Sequence, residues 1–165
     1  MLLHVIVLLI ILLIYNLINE QDCIIIELRI KIDKFLLHLK NKYSNSVDLE
    51  KKEVVKNILK RYYGLYKGNS TYVVNKKKIK ICISESSSIN ILMYGIIHEL
   101  SHIGYTEKRG EDDHCEMFWR IYKFLLIEAL SIDLIFKSDF QKNNATLCGE
   151  VIDYNILYDD TFKSI

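Results

Sequence analysis

Residues 98–102 read His-Glu-Leu-Ser-His. On an α-helix, His98 and His102 project from one face, one turn apart, so both imidazoles can ligate a single tetrahedral zinc ion. Glu99 lies about 100° further round the helix. From there its carboxylate reaches a water on the metal without being a ligand itself, as a general base requires. Zinc lowers the pKa of that water towards neutrality, the carboxylate takes its proton, and a polarised peptide carbonyl is attacked. These three residues therefore point to metal-assisted hydrolysis of a peptide bond. At this chain's His and Glu content the pattern arises by chance about once in a hundred shuffles, which makes it moderately specific.

A catalytic zinc takes three protein ligands and keeps one position open. His114 and Glu128 compete for the third place. His114 follows an eleven-residue loop and stands at the first turn of the next helix, so the chain can fold back and present it. Glu128 falls on the inner face of that same helix. The acids Glu107, Glu111, Asp112 and Asp113 are weaker candidates, since each has a simple role in solvation or capping. Just beyond the active helix, Tyr105 and Arg109 are candidates for stabilising the oxyanion of a tetrahedral intermediate. Loop residues of this kind are more often simply solvated. Cys115 reads as a packed thiol, Phe118 and Trp119 as core wedges. His4 and His38 have no partner at ligand spacing and read as incidental.

The elements that must position these residues follow from pattern. Ile89 to Ile103 form a strongly apolar helix, capped by Ser88 and stopped at Gly104. A second helix opens with Asp113 and Glu116 in capping-box spacing and runs to about Leu134, with Met117, Ile121, Phe124, Leu125 and Glu128 inward. Upstream, Asp48 to Tyr63 is helical, with Val55, Ile58, Leu59 and Tyr62 on one face. Thr71–Val74 and Ile79–Ile83 then make a hairpin whose tip is Asn75-Lys76-Lys77-Lys78. Those lysines could touch phosphate, but a solvated turn is the simpler reading of an isolated charge run. Residues 24–32 alternate as a strand does, yet run into a helical pattern, and both readings of that join stay open.

Length and composition set wider bounds. A chain of 165 residues, half of them apolar, suits one domain with a real core. Its net charge of +1 gives no global field, so nucleic acid is not indicated as a partner. Residues 1–18 are almost wholly apolar and would extend about 27 Å as a helix, close to a hydrocarbon core. They are expected to be a transmembrane anchor ahead of a domain at 19–165, making a single-pass membrane protein whose orientation the sequence leaves open. The four cysteines have no CxxC spacing; Cys82 and Cys148 could pair in an oxidising compartment, but sequence does not settle connectivity.

HELSH, then His114 with Phe118-Trp119 behind it, then a long apolar helix, resemble the WLM zincin family, which is related to the SprT-like metalloproteases. The likeness extends to small membrane-anchored WLM-like metallopeptidases of large nucleocytoplasmic DNA viruses. It rests on TYVVNKKKIKICI, NILMYGIIHELSH, FWRIYKFLLIEAL and Cys148-Gly149, and covers roughly residues 71–152. The resemblance implies His98, His102 and His114 as zinc ligands, Glu99 as catalytic base, a protein or peptide substrate, and a host-cell or virion membrane. The loop from His102 to His114 is longer than the family pattern. The fold expected is a small α+β zincin-like domain: helix, short antiparallel sheet, active-site helix and C-terminal helix, behind the transmembrane helix. An extended substrate could add to the edge strand within 71–83. The rival reading is a catalytically silent zinc-stabilised interaction module on a membrane, which would have no use for Glu99.

Overall fold

A computed structural model describes residues 2–84, 87–106 and 113–165, with side chains described for all of these except 2–5 and 8–22. Among these residues the architecture is α+β, with four α-helices, a short 3-10 helix (Ile156–Tyr158) and two small sheets. Helix α1 (Leu2–Tyr43) runs unbroken through residue 18. Its buried stripe is Ile25, Leu28, Ile32, Phe35, Leu39 and Tyr43, stepping by three and four residues. That is the period of one helix face, and it decides the 24–32 ambiguity in favour of helix. Phe35 is fully buried, so truncating it to Ala would cost about 3–5 kcal/mol.

Among the described residues no helix is long and apolar enough to cross a membrane. The expected transmembrane anchor at residues 1–18, and the single-pass membrane localisation built on it, are therefore corrected. The apolar run does not form a separate helix; it is the first part of α1, whose later turns are committed to the core.

Helix α2 (Leu49–Arg61) is capped by the Asp48 side chain, which accepts from the Lys51 amide. Strands β1 (Gly64–Gly68), β2 (Tyr72–Val74) and β3 (Lys78–Cys82) make a sheet in the order β1-β3-β2. The expected β2–β3 hairpin is present and antiparallel. The sheet is nevertheless mixed, because β1 pairs with β3 in parallel. Two glycines in Gly64-Leu65-Tyr66-Lys67-Gly68 hide that strand from a propensity reading. Leu65, Ile79 and Ile81 face inward and are buried.

Helix α3 (Ile89–Gly104) lies at the centre, capped by Ser88, whose hydroxyl accepts from the Ile91 amide. It continues one residue further than expected, and Gly104 earns its place by contact. A Cβ there would stand 3.0 Å from Val54 and 3.1 Å from Ile58, so α2 and α3 meet at the missing side chain. Helix α4 (Glu116–Ser131) begins later than the expected capping box: Cys115 is its N-cap, with no side-chain cap bond. Strands β4 (Ala145–Leu147) and β5 (Glu150–Ile152) form a hairpin turned by Cys148 and Gly149, both at positive φ. Cys148 is disulfide-bonded to Cys82, which ties this hairpin to the end of β3 across 66 residues of chain.

Candidate metal centre

His98 and His102 lie one turn apart on α3, with ring centroids 5.1 Å apart. His114, just ahead of α4, brings its ring to 5.2 Å from His98 and 4.9 Å from His102. One nitrogen from each of the three lies within 4.8 Å of the others. The Nε2 atoms of His98 and His114 are 3.2 Å apart. Two nitrogens on a tetrahedral zinc would be about 3.3 Å apart, so this donor set fits one small cation. The three histidines lie close enough to hold a metal ion.

Beneath them is Phe118, fully buried and within 5.0, 4.4 and 4.7 Å of the rings of His98, His102 and His114. It is the core wedge the sequence suggests, and it also serves as a floor that keeps the imidazoles from collapsing inward. Burial, followed by the neighbouring His102 and His114, pushes the His98 pKa down to about 3. The ring is therefore neutral at physiological pH, the form that offers a lone pair to a metal.

Glu99 follows His98 and is buried. Burial raises its carboxyl to about 7, partly opposed by a hydrogen bond from the Val73 backbone amide. Val73 belongs to β2, one of the two edge strands of the sheet. The candidate base is thus held by the same strand edge that borders the opening. A cleft of about 620 Å³ joins these parts, lined by Thr71, Tyr72, Val73, Asn75 and Lys76 on one side. Leu147, Glu150, Ile152 and Tyr154 line it on the other, with Tyr94, Trp119, Tyr122 and Phe140 between. Gly95 opens this wall: a Cβ there would be 3.0 Å from Leu147, so the β4–β5 hairpin lies directly on α3 one turn before His98.

Not every candidate joins the cleft. Glu128 faces α1, where Lys42 donates to both its oxygens at 2.9 Å and Tyr43 donates to one at 2.8 Å. His38 Nε2 lies 2.8 Å from the other oxygen. This carboxylate is committed to helix docking, and His38, which reads as incidental in sequence, is one of its partners. A separation of 90 residues leaves no local signal for such a pair. Tyr105 is buried, and its hydroxyl accepts from Cys115 Sγ at 3.1 Å; it does not line the cleft. Asp113 does line it, beside His114. Arg109, Glu107, Glu111 and Asp112 lie outside the described residues. Sequence reasoning also missed the Val73 amide, because a backbone donor leaves no trace in residue type. Trp119 lines the cleft as well as packing on the core, beyond the wedge role expected of it.

No protein family model matches the chain, and no solved structure matches it. Over 94 residues the chain is 31% identical to an uncharacterized protein of Acanthamoeba polyphaga mimivirus. That alignment covers 53% of this chain and 46% of the viral protein, so the chain spans less than half the length of the relative it matches.

Proposed function

We propose that the chain is a zinc-dependent endopeptidase of the zincin kind, similar to the WLM and SprT-like metalloproteases. The observation that carries this reading is the convergence of three imidazoles beside a buried carboxylate, on a cleft bordered by an edge strand.

His98, His102 and His114 would hold the ion. When bound, zinc supplies Lewis acidity to a substrate carbonyl and acidifies a water at the site. Glu99 takes the proton of the attacking water and returns it to the leaving amine. Two opposing influences ready it for both steps: burial keeps its proton affinity near neutral pH, while the Val73 amide and a nearby cation favour the ionised form. An extended peptide would lie beside β2, where the outward Val73 carbonyl can accept a main-chain hydrogen bond with little sequence preference while the Val73 amide stays with Glu99. Tyr94, Trp119 and Tyr122 give this cleft an aromatic wall against which substrate side chains could pack.

The test is Glu99→Gln. Zinc content should stay near one per chain while hydrolysis of an unfolded protein substrate falls by roughly 100-fold or more. Retained hydrolysis would refute Glu99 as base. A purified chain that takes up no zinc would remove the whole reading. Wild-type protein that holds zinc but cleaves nothing would favour the silent zinc-stabilised module.

A further inference from the structure

From Val54 to Ser84 the sequence carries eight Lys/Arg and no Asp/Glu, in a chain whose net charge is only +1. The fold gathers several of these cations beside the β2 edge. On the outer face of the sheet, Tyr66, Lys80 and Tyr72 share one row across the three strands, since Tyr66 and Tyr72 are both register partners of Lys80. The Lys80 ammonium lies over the Tyr72 ring at 5.7 Å, which carries it from the central strand towards the open edge. Lys78 stands between the rings of Tyr63 and Tyr66, at 5.1 and 5.8 Å. Lys76, in the turn after β2, lines the cleft, with its ammonium 5.8 Å from the Tyr105 ring. The opposite side of the cleft is acidic, through Glu150 and Asp113.

We infer that the substrate segment entering along β2 is an acidic polypeptide, recognised by Lys76 and Lys80 at the strand edge with Lys78 behind them. This rests on the peptidase reading above and names its substrate class. Three physical points support it. Lysines held over tyrosine rings have part of their side-chain freedom already restricted, so pairing with a carboxylate costs less entropy than it would from a free lysine. Lys78 and Lys80 alternate along β3 at about 6.8 Å, the repeat at which alternate side chains of an extended peptide follow one another. A polypeptide can offer a main-chain amide to the outward Val73 carbonyl of the β2 edge that these lysines border, whereas a sugar–phosphate backbone has no such donor. That edge therefore favours carboxylates on an extended chain over a single-stranded nucleic acid.

The experiment uses the full zinc-loaded chain and three labelled decapeptides sharing an apolar centre, flanked by glutamates, serines or lysines. Binding is read by fluorescence anisotropy on the Glu99→Gln variant, and cleavage by kcat/KM on wild type. The acidic peptide should bind at least tenfold more tightly than the basic one at about 50 mM salt, with the preference shrinking severalfold at about 300 mM. In Lys76→Gln/Lys80→Gln, checked for an unchanged circular dichroism spectrum, the preference should fall about five- to tenfold. Equal binding of the three peptides overturns the inference, as does a preference the double variant leaves intact. Tighter binding of an oligothymidylate, lost in the double variant, would also overturn it and reassign the face. Selective binding without cleavage of any peptide would leave the surface standing and sink the peptidase reading. Equal cleavage of all three would do the reverse.

Discussion

The Val73 amide donates to the carboxylate of Glu99, so the edge strand of the sheet reaches the candidate base through its main chain. That N–H points away from β3, and a proline at position 73 would remove the donor without breaking the ladder. Burial raises the Glu99 pKa to about 7 and the Val73 amide opposes the rise. As the proposed base Glu99 would work ionised, so activity should fall as pH drops through its pKa, at or below about 7 once a cation sits nearby. In Val73→Pro this acid limb of kcat/KM should move upward by roughly half a pH unit to one. An unmoved limb would show that the amide does not tune the base.

Metal affinity should distinguish the two candidates for the third ligand. His114→Ala is expected to weaken zinc binding by roughly 100-fold or more, because two imidazoles alone hold the ion poorly. Glu128→Gln should leave affinity unchanged. Competition with a chromophoric chelator measures both, and a weakened Glu128→Gln protein would contradict the assignment.

Stability should respond to Glu128 in a pH-dependent way. Burial pushes its carboxyl up, but hydrogen bonds from Lys42, His38 and Tyr43 outweigh this and hold it below 4.5. A folded-state pKa below the unfolded one contributes stability above about 4.5 that is lost as pH falls through the folded value. Glu128→Gln should therefore cost about 2 kcal/mol at pH 7, less than a fully buried pair because Lys42 is half exposed. The penalty should shrink in acid. Urea unfolding at both pH values is the check, and an equal penalty at each would count against the ion cluster.

Gly104→Ala tests the crossing of α2 and α3. Helix propensity alone would stabilise the variant by up to about 1 kcal/mol. The added Cβ instead meets Val54 at 3.0 Å and Ile58 at 3.1 Å, and both are stiff β-branched side chains. A net loss of about 1–2 kcal/mol is expected, read from the denaturation midpoint. A stabilised variant would mean that the helices can separate at little cost.

Much of the candidate site is legible in sequence because its information is local. The four-residue step from His98 to His102 fixes their common face, and Ser88 marks the start of the helix that carries them. His114 is legible too, as a ligand-type residue where the chain turns back. What stays hidden depends on distant partners or on the backbone. The Glu128 cluster joins α1 to α4 over about 90 residues, and the Val73 amide has no residue type to betray it. The parallel β1–β3 pair escaped because its strand is bounded by glycines. Residues 24–32 leave strand and helix both open in sequence, and the tertiary environment selects a helix whose inner stripe meets the core. A net charge near zero also does not show how lysines gather on one sheet face.

The Cys82–Cys148 bond joins the end of the strand beside the entrance to the turn of the hairpin that walls it. The gap between those two parts is consequently limited by a covalent strut as well as by side-chain packing. Such a frame resists being wedged apart. On the proposed peptidase reading, a compact folded domain would have to surrender a loop or an end before any of its bonds came within reach of Glu99, so the rate at which a target frays would govern how fast it is cut.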